Sequence, residues 1–333
     1  MKGLVIVMNL LAISKSKLIK GSVLLFLIAM LLFPEASFQG ASSGLLLWFH
    51  NVLPNLLPFI ILSNLMVRLN ITKQLTRLFY PILGRLFGIS SEGCYPIIIG
   101  FLSGIPMGAK TTADLVNDKK ISIKEGQFLL SMCNNASPMF ILGYIAITQL
   151  KLPNFNYVLF AILYGSAIIS ALLYRFITNL TLENSKFMTD KAVAVSLPTP
   201  KPARFSFAVL DNSIMNAFEI VTKIGGYIIL FSILAQIIKG IGPNTSFIKA
   251  FVMGLFEITT GISQVCNTHL DINIKIVLVS ALTSFGGLSG LAQTKSVLGD
   301  TRLSISSYLI VKLLGALLSI LLAWIYVTIF PIV

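Results

Sequence analysis

The sequence predicts an all-α polytopic integral membrane protein: an inverted-topology repeat with broken helices and two re-entrant hairpins. Three observations predict it. Of 333 residues, 56% are hydrophobic and 11% charged, against roughly 45–50% apolar and 25% charged for soluble domains. Mean hydropathy is +0.89, and several segments reach the ~20 apolar residues that cross a hydrocarbon core. Second, two hydrophobic stretches in each half are interrupted by polar and helix-disrupting residues. The first half carries GFLSGIPMGAK (Gly100 to Lys110) and CNNASPMFILG (Cys133 to Gly143). The second carries GLFEITTGISQ (Gly254 to Gln264) and SFGGLSGLAQ (Ser284 to Gln293). An interrupted helix leaves backbone groups that lipid cannot satisfy, so it persists only inside protein or against a watery cavity. Paired interruptions in two halves point to a transporter's binding site. Third, the net charge of +13 comes from Lys and Arg placed between the apolar spans, where basic loops orient a membrane protein and meet anionic headgroups.

The elements follow in order. Lys15, Lys17 and Lys20 precede the apolar run Val23 to Phe33, and small residues follow. A signal peptide has that form, but many spans come after it, so a retained first helix over about 18–34 is expected, running outward. A short loop carrying Glu35 leads to a second helix over about 42–68, with Arg68, Lys73, Arg77 and Arg85 on the cytoplasmic side. Residues 95–117 read as a full crossing or a re-entrant hairpin. A crossing would send Lys110, Lys119, Lys120 and Lys124 outside, and later Lys186, Lys191, Lys201 and Arg204 too. A hairpin keeps both groups cytoplasmic, and the charge rule favours it. Spans then follow over 126–150 and 155–180.

Residues 183–212, with LPTPKP (Leu197 to Pro202), read as a cytoplasmic connector prone to polyproline II. Beyond it come a span at 213–240, a second hairpin at 248–266 dipping from outside, a broken span at 274–298 and a last span at 305–330. The divisions are 1–40 (N-terminal segment and first helix), 41–182 (repeat one), 183–212 (linker) and 213–333 (repeat two). Each half reads as helix, hairpin, broken helix, helix, the second upside down relative to the first. Locally, Phe49 to Leu65 parallels Phe218 to Leu234, and Gly100-Phe-Leu-Ser-Gly parallels Gly254-Leu-Phe-Glu-Ile.

Several functions are disfavoured. Cys94, Cys133 and Cys266 are widely spaced, as are His50 and His269, so no metal site or disulfide framework is expected. GIPMGAKTT (Gly104 to Thr112) looks like a phosphate loop, but its glycine spacing is short and Ala109 separates Gly108 from Lys110. No catalytic triad is legible. The expectation is a protein that is not an enzyme, needs no cofactor and binds no nucleic acid.

The motifs LLLWFHNVLPNLLPFIILSNLM, LSGIPMGAK, CNNASPMFILGYIA, GLFEITTG and SFGGLSGLAQ resemble the YlbJ family of sporulation integral membrane proteins, within the nucleoside-recognition (Gate) superfamily. The likeness runs from about residue 20 to the C-terminus, with Ile105 and Met107 as departures. It implies a multi-pass protein of the outer forespore membrane, needed for spore cortex and core maturation, that moves dipicolinic acid. The expected partners are the lipid bilayer, a small anionic solute, and a second copy of the chain or other sporulation membrane proteins. Two alternatives stay open: a non-transporting membrane scaffold and a nucleoside-type solute carrier.

Dipicolinate is a small planar dianion, so its pocket should offer a cation, amide or hydroxyl donors and freed helix N-termini. Lys110 is the cation candidate, with a snorkelling surface lysine as its ordinary alternative. Asn134, Asn135 and Ser137, just before Pro138, can present amides and free N–H groups, or close a local turn. Ser103 is a weaker candidate, as are Thr111 and Thr112. Glu257 is a carboxylate in an apolar segment, suited to carry a proton or pair with a buried cation. Thr259, Thr260, Ser284, Ser289 and Gln293 would complete the second half of the site. Gly104, Pro106, Gly108, Pro138, Gly286 and Gly287 are the expected helix-break residues. Glu219 and Lys223, four apart, read as a solvated pair.

Overall fold

A computed structural model describes residues 17, 20–69, 71–178, 205–240 and 247–332. Among these the chain is helical, with no strand. Four helices are long and apolar enough to cross a membrane: Pro153–Ile177, Phe207–Gly240, Ile272–Leu298 and Ile305–Ile329.

The N-terminal region departs from expectation. Helix α1 (Lys20–Leu32) is roughly 20 Å long at 1.5 Å per residue, short of the ~30 Å hydrocarbon core. The chain then bends by 105° and Pro34 opens α2 (Pro34–Leu47). Proline has no N–H and a fixed φ, so it starts a helix readily but cannot continue one. The expected span at 18–34 therefore does not cross alone, and the expected loop after it is helix. From α2 the chain passes through a π-helical turn, Trp48–Val52, into α3 (Leu53–Arg68). The boundary drawn at residue 40 thus falls inside a helix.

Residues expected as a basic loop after Arg68 form another helix, α4 (Thr72–Phe87), ended by Gly88 at φ 59°. Its exposed face mixes Leu78, Ile82 and Leu86 with Arg77 and Arg85. Arg175 caps it by donating from Nη1 to the Phe87 carbonyl. The proposed linker lies outside the described residues up to 204. Its end does not: from Phe207 the chain is helix α9 (Phe207–Gly240).

The repeated pattern is present. In the first half α5 (Cys94–Ser103) and α6 (Met107–Asn117) form a hairpin. In the second, α10 (Phe247–Phe256) and α11 (Ile258–Cys266) form another. Each helix is roughly 15 Å long, half a hydrocarbon core. The fold-back is read from glycines. Gly100 and Gly108 both lie against the Cys133 carbonyl, and Gly261 lies against the Gly254 backbone. Seven residues along a continuous helix would separate those last two by roughly 10 Å. Residues 95–117 and 248–266 are therefore hairpins.

Each hairpin leads into a broken helix. α7 (Ile123–Cys133) stops at Asn134, and helix resumes at Pro138, continuing as the π-helical stretch Phe140–Gln149. α12 (Ile272–Phe285) yields to α13 (Gly287–Leu298) through Gly286 and Gly287, at φ 84° and 69°. Those torsions are left-handed, open to glycine and strained for most other residues. α8 (Asn156–Ile177) and α14 (Ile305–Ile329) close the halves. A shared core of Ile141, Ile145, Leu159, Ile262, Ile276 and Leu282 joins the halves.

Because Gly261 has no room for a side chain, Gly261→Ala should cost roughly 1–3 kcal/mol of overpacking. A thermal melt of the detergent-purified protein should fall by a few degrees. Gly226→Ala in α9, where nothing stands within 4 Å, should leave it unchanged or raise it.

Candidate functional site

All four interruptions meet at one cavity. Its wall takes Ser103 and Ile105 from the tip of the first hairpin, Glu257, Ile258 and Thr259 from the tip of the second, Ala136 and Ser137 from the first broken helix, and Gly286, Ser289, Gly290 and Gln293 from the second. Asn51, Val52 and Leu56 (π-turn and α3) and Ile224 and Ile228 (α9) form the remaining side. These last two groups come from the parallel stretches Phe49 to Leu65 and Phe218 to Leu234. The cavity volume is about 90 Å³, below the ~300–1,000 Å³ of typical small-molecule sites.

The hairpin tips are equivalent positions. Ser103 is the last residue of α5 and Glu257 follows the last residue of α10, as the Gly100 and Gly254 alignment places them. Their chemistry differs. Ser103 is fully buried and its Oγ has no hydrogen-bond partner, so a hydroxyl is left on the cavity wall. Glu257 is 2% exposed. Its Oε1 accepts from Thr259 Oγ1 at 2.5 Å and its Oε2 from the Thr260 backbone N–H at 2.7 Å. The carboxylate thus caps α11, where the helix dipole favours negative charge. Among the described residues no Lys, Arg or His lies within 4.0 Å of it.

The remaining polar wall is partly self-engaged. Ser289 Oγ accepts from Gln293 Nε2 at 3.1 Å, and Ser137 Oγ accepts from the Phe140 N–H at 3.2 Å. Thr260 faces away and shares a 3.3 Å hydrogen bond with Ser232. Thr111 and Thr112 bond the carbonyls of their own helix.

Lys110 is not where the anion reading needs it. It does not line the cavity and forms an i,i+4 pair with Asp114 at 2.7 Å, its side chain 32% exposed. The physical reason is rotational. α6 buries Met107, Ala109, Thr111, Thr112 and Ala113, and Lys110 with Asp114 falls on the opposite, wetter stripe. Glu219 and Lys223 form an exposed pair at 2.6 Å, as the sequence suggests.

Asn134 is buried but fully used. Its Oδ1 accepts from the Ala109 N–H, and its Nδ2 donates to Thr294 Oγ1 at 2.8 Å and Tyr308 Oη at 2.9 Å. Tyr308 in turn donates to the Asn134 carbonyl. The side chain therefore clasps the first break to α13 and α14 of the other half. Asn135 closes the break from the other side. Its carbonyl accepts from the Ile105 N–H, and its Nδ2 donates to the Met132 carbonyl. Asn135 and Ser284 line a smaller neighbouring chamber. Gly104, Pro106, Pro138, Gly286 and Gly287 sit at the interruptions, and Gly108 lies in the first turn of α6.

The sequence reading overlooked Asn51, Tyr144, Tyr308 and Lys312. Tyr144 donates to the Thr259 carbonyl at 3.1 Å, tying the second hairpin to the first half. Lys312 stands alone in the apolar run of α14, the same signal that singled out Glu257. The two tyrosines carry no comparable mark in an aromatic-rich chain.

With this geometry in place, comparison with known proteins identifies the chain's kin. It is 28% identical over 324 residues to the sporulation integral membrane protein YlbJ of Bacillus subtilis (strain 168), covering 89% of this chain and 79% of that protein. The chain is similar to YlbJ over most of its length. No protein-family model matches it, and no solved structure does. The interruptions that carry the resemblance to YlbJ are the segments that build the cavity.

Asn134→Ala should remove the side-chain bonds to Thr294 and Tyr308 and leave the buried Ala109 N–H without its acceptor, at roughly 1–3 kcal/mol for the orphaned group. Reduced yield of monodisperse protein and a lower melting temperature are expected. A variant as stable as wild type would contradict the clasp.

Proposed function

We propose that the protein is a sporulation membrane transporter that carries a small planar metabolite, foremost dipicolinic acid, through this cavity. One observation carries the reading: two hairpin tips and two helix breaks from opposite halves converge on a single cavity. That is the arrangement expected of a midplane transport site. The unpartnered Ser103 hydroxyl and the carboxylate at the second tip are further support, since buried polar groups at membrane depth are costly and usually functional. The sporulation role rests on kinship with YlbJ. Dipicolinic acid, spore cortex maturation and the outer forespore membrane rest on the resemblance alone.

A second reading keeps the transporter and changes its cargo. Among the described residues no cation lines the cavity, so an uncharged solute, including a nucleoside, would meet hydroxyls, the Gln293 amide and Glu257 without an electrostatic mismatch. A non-transporting scaffold gives the cavity no purpose. Transport would be passive or gradient-driven, and its partners beyond lipid and solute would be a second copy or other sporulation proteins.

Radiolabelled dipicolinate uptake into proteoliposomes tests the reading. Saturable uptake is expected. Ser103→Phe, which fills the cavity, and Glu257→Gln should each lower it at least tenfold, while Lys110→Gln should leave it within about twofold. Nucleoside uptake without dipicolinate uptake would replace the cargo. Absence of both from folded protein would remove the transporter reading.

A further inference from the structure

The stretch after Arg68, expected as a basic loop, is helix α4 (Thr72–Phe87), and its place in the bundle decides what it can touch. Two spans mark a membrane face. α8 ends at Ile177 and α9 starts at Phe207, and the sequence between them has no apolar run long enough to cross back. The chain from Trp48 into α3 runs antiparallel to α9. Trp48 donates to the Val221 carbonyl and Asn64 to the Ser213 carbonyl, so α3 ends beside the start of α9. The far end of α4 meets the end of α8, where Arg175 donates to the Phe87 carbonyl. α4, roughly 24 Å long, therefore runs from one span end to another on the same face, along the membrane surface rather than through it.

The helix is held there from inside. Phe87 lies in a buried cluster with Phe128 and Leu129 of α7, and Leu83 packs against it. Just beyond Gly88, Ser90 donates from its N–H and its hydroxyl to Glu125 Oε1, each at 2.7 Å. Two faces remain outside. Leu78, Ile82 and Leu86, four apart, are 69%, 65% and 67% exposed. At 3.6 residues per turn Arg77 falls on the far side of the axis from Leu86, and Arg85 at the edge of the stripe that Leu78 begins. Both arginines are exposed. From Arg68 to Ser91 the sequence has four basic residues and no acidic one.

A basic helix with an apolar stripe lies in the interface plane, with acyl chains against one side and headgroups against the other. The charge excess selects the headgroup, since each arginine near an anionic surface strengthens the contact about fivefold. We propose that α4 is an interfacial helix that seats Leu78, Ile82 and Leu86 among the acyl chains and holds the phosphates of anionic lipids with Arg77 and Arg85. The charge rule assigns it to the cytoplasmic leaflet. This contact is independent of what the cavity carries.

The test uses the full chain in two measurements. In a Cys266→Ser background, where the remaining Cys94 and Cys133 are buried, a bimane label is placed on Ile82→Cys or on Arg77→Cys and the protein is set in phosphatidylcholine–phosphatidylglycerol nanodiscs. The Ile82→Cys label should be quenched by a nitroxide-labelled lipid and spared by an aqueous nitroxide, and the Arg77→Cys label the reverse. Separately, the melting temperature of the detergent-purified protein is titrated with phosphatidylglycerol and with phosphatidylcholine. Phosphatidylglycerol should stabilise the wild type at lower concentration. The double variant Arg77→Gln, Arg85→Gln should raise its half-saturating concentration at least tenfold, with the lipid-free melt and the phosphatidylcholine response unchanged. An Ile82→Cys label quenched from water would put the stripe against solvent or a soluble partner, and one shielded from both quenchers would put it against a second copy or another membrane protein. Either overturns the interfacial helix. Equal response to the two lipids, or a double variant that responds as wild type does, overturns the recognition of anionic headgroups.

Discussion

The rest of the structure depends on one constraint: a helix interrupted at membrane depth must find partners for its freed backbone groups inside the protein. The hydrogen bonds around the first break are that requirement being met. The Asn135 carbonyl takes the Ile105 N–H, the Ala136 carbonyl takes the Tyr164 hydroxyl, and the Asn134 carbonyl takes the Tyr308 hydroxyl. At the second hairpin the Glu257 carboxylate serves the start of α11 and Tyr144 serves the Thr259 carbonyl. Several of these bonds join one half of the chain to the other. Satisfying the breaks therefore also fixes how the repeats sit together, and the cavity is the space left between them.

The two hairpin tips solve the same problem in different ways. At the first, Gly104 takes a left-handed torsion and hands its neighbour's N–H to the Asn135 carbonyl. The Ser103 hydroxyl is then left unused. At the second, the equivalent residue is Glu257, whose carboxylate is consumed in capping α11. An inverted repeat thus yields a site with unequal halves, one offering a hydroxyl and the other a charge. That inequality gives the cavity wall of a pseudo-symmetric scaffold two chemically distinct ends.

Much of this was legible in the sequence because the signals are local. Gly, Pro and Asn within apolar runs announce breaks, and a lone Glu in such a run announces a costly buried charge. Six predicted residues (Ser103, Ser137, Glu257, Thr259, Ser289 and Gln293) reach one cavity wall for that reason. What the sequence could not supply was rotation and distance. Lys110 follows the break directly, but the face that α6 buries carries it outward to Asp114. Asn134 has the right chemistry and spends it on Thr294 and Tyr308, both more than 150 residues away. The first helix was misjudged because the apolar run reads as continuous up to Phe33, and the decisive feature was the single proline after it.

The charges left inside the bundle carry the last step. Glu257 and Lys312 are both buried, both held by neutral partners, and neither is paired with the other or with a second ion among the described residues. If they served the fold alone, pairing them or replacing both with apolar residues would cost less than leaving each uncompensated. The carboxylate sits on the cavity wall at a helix N-terminus that already favours it, whereas Lys312 lines no part of that wall and rests on the Asn135 amide oxygen.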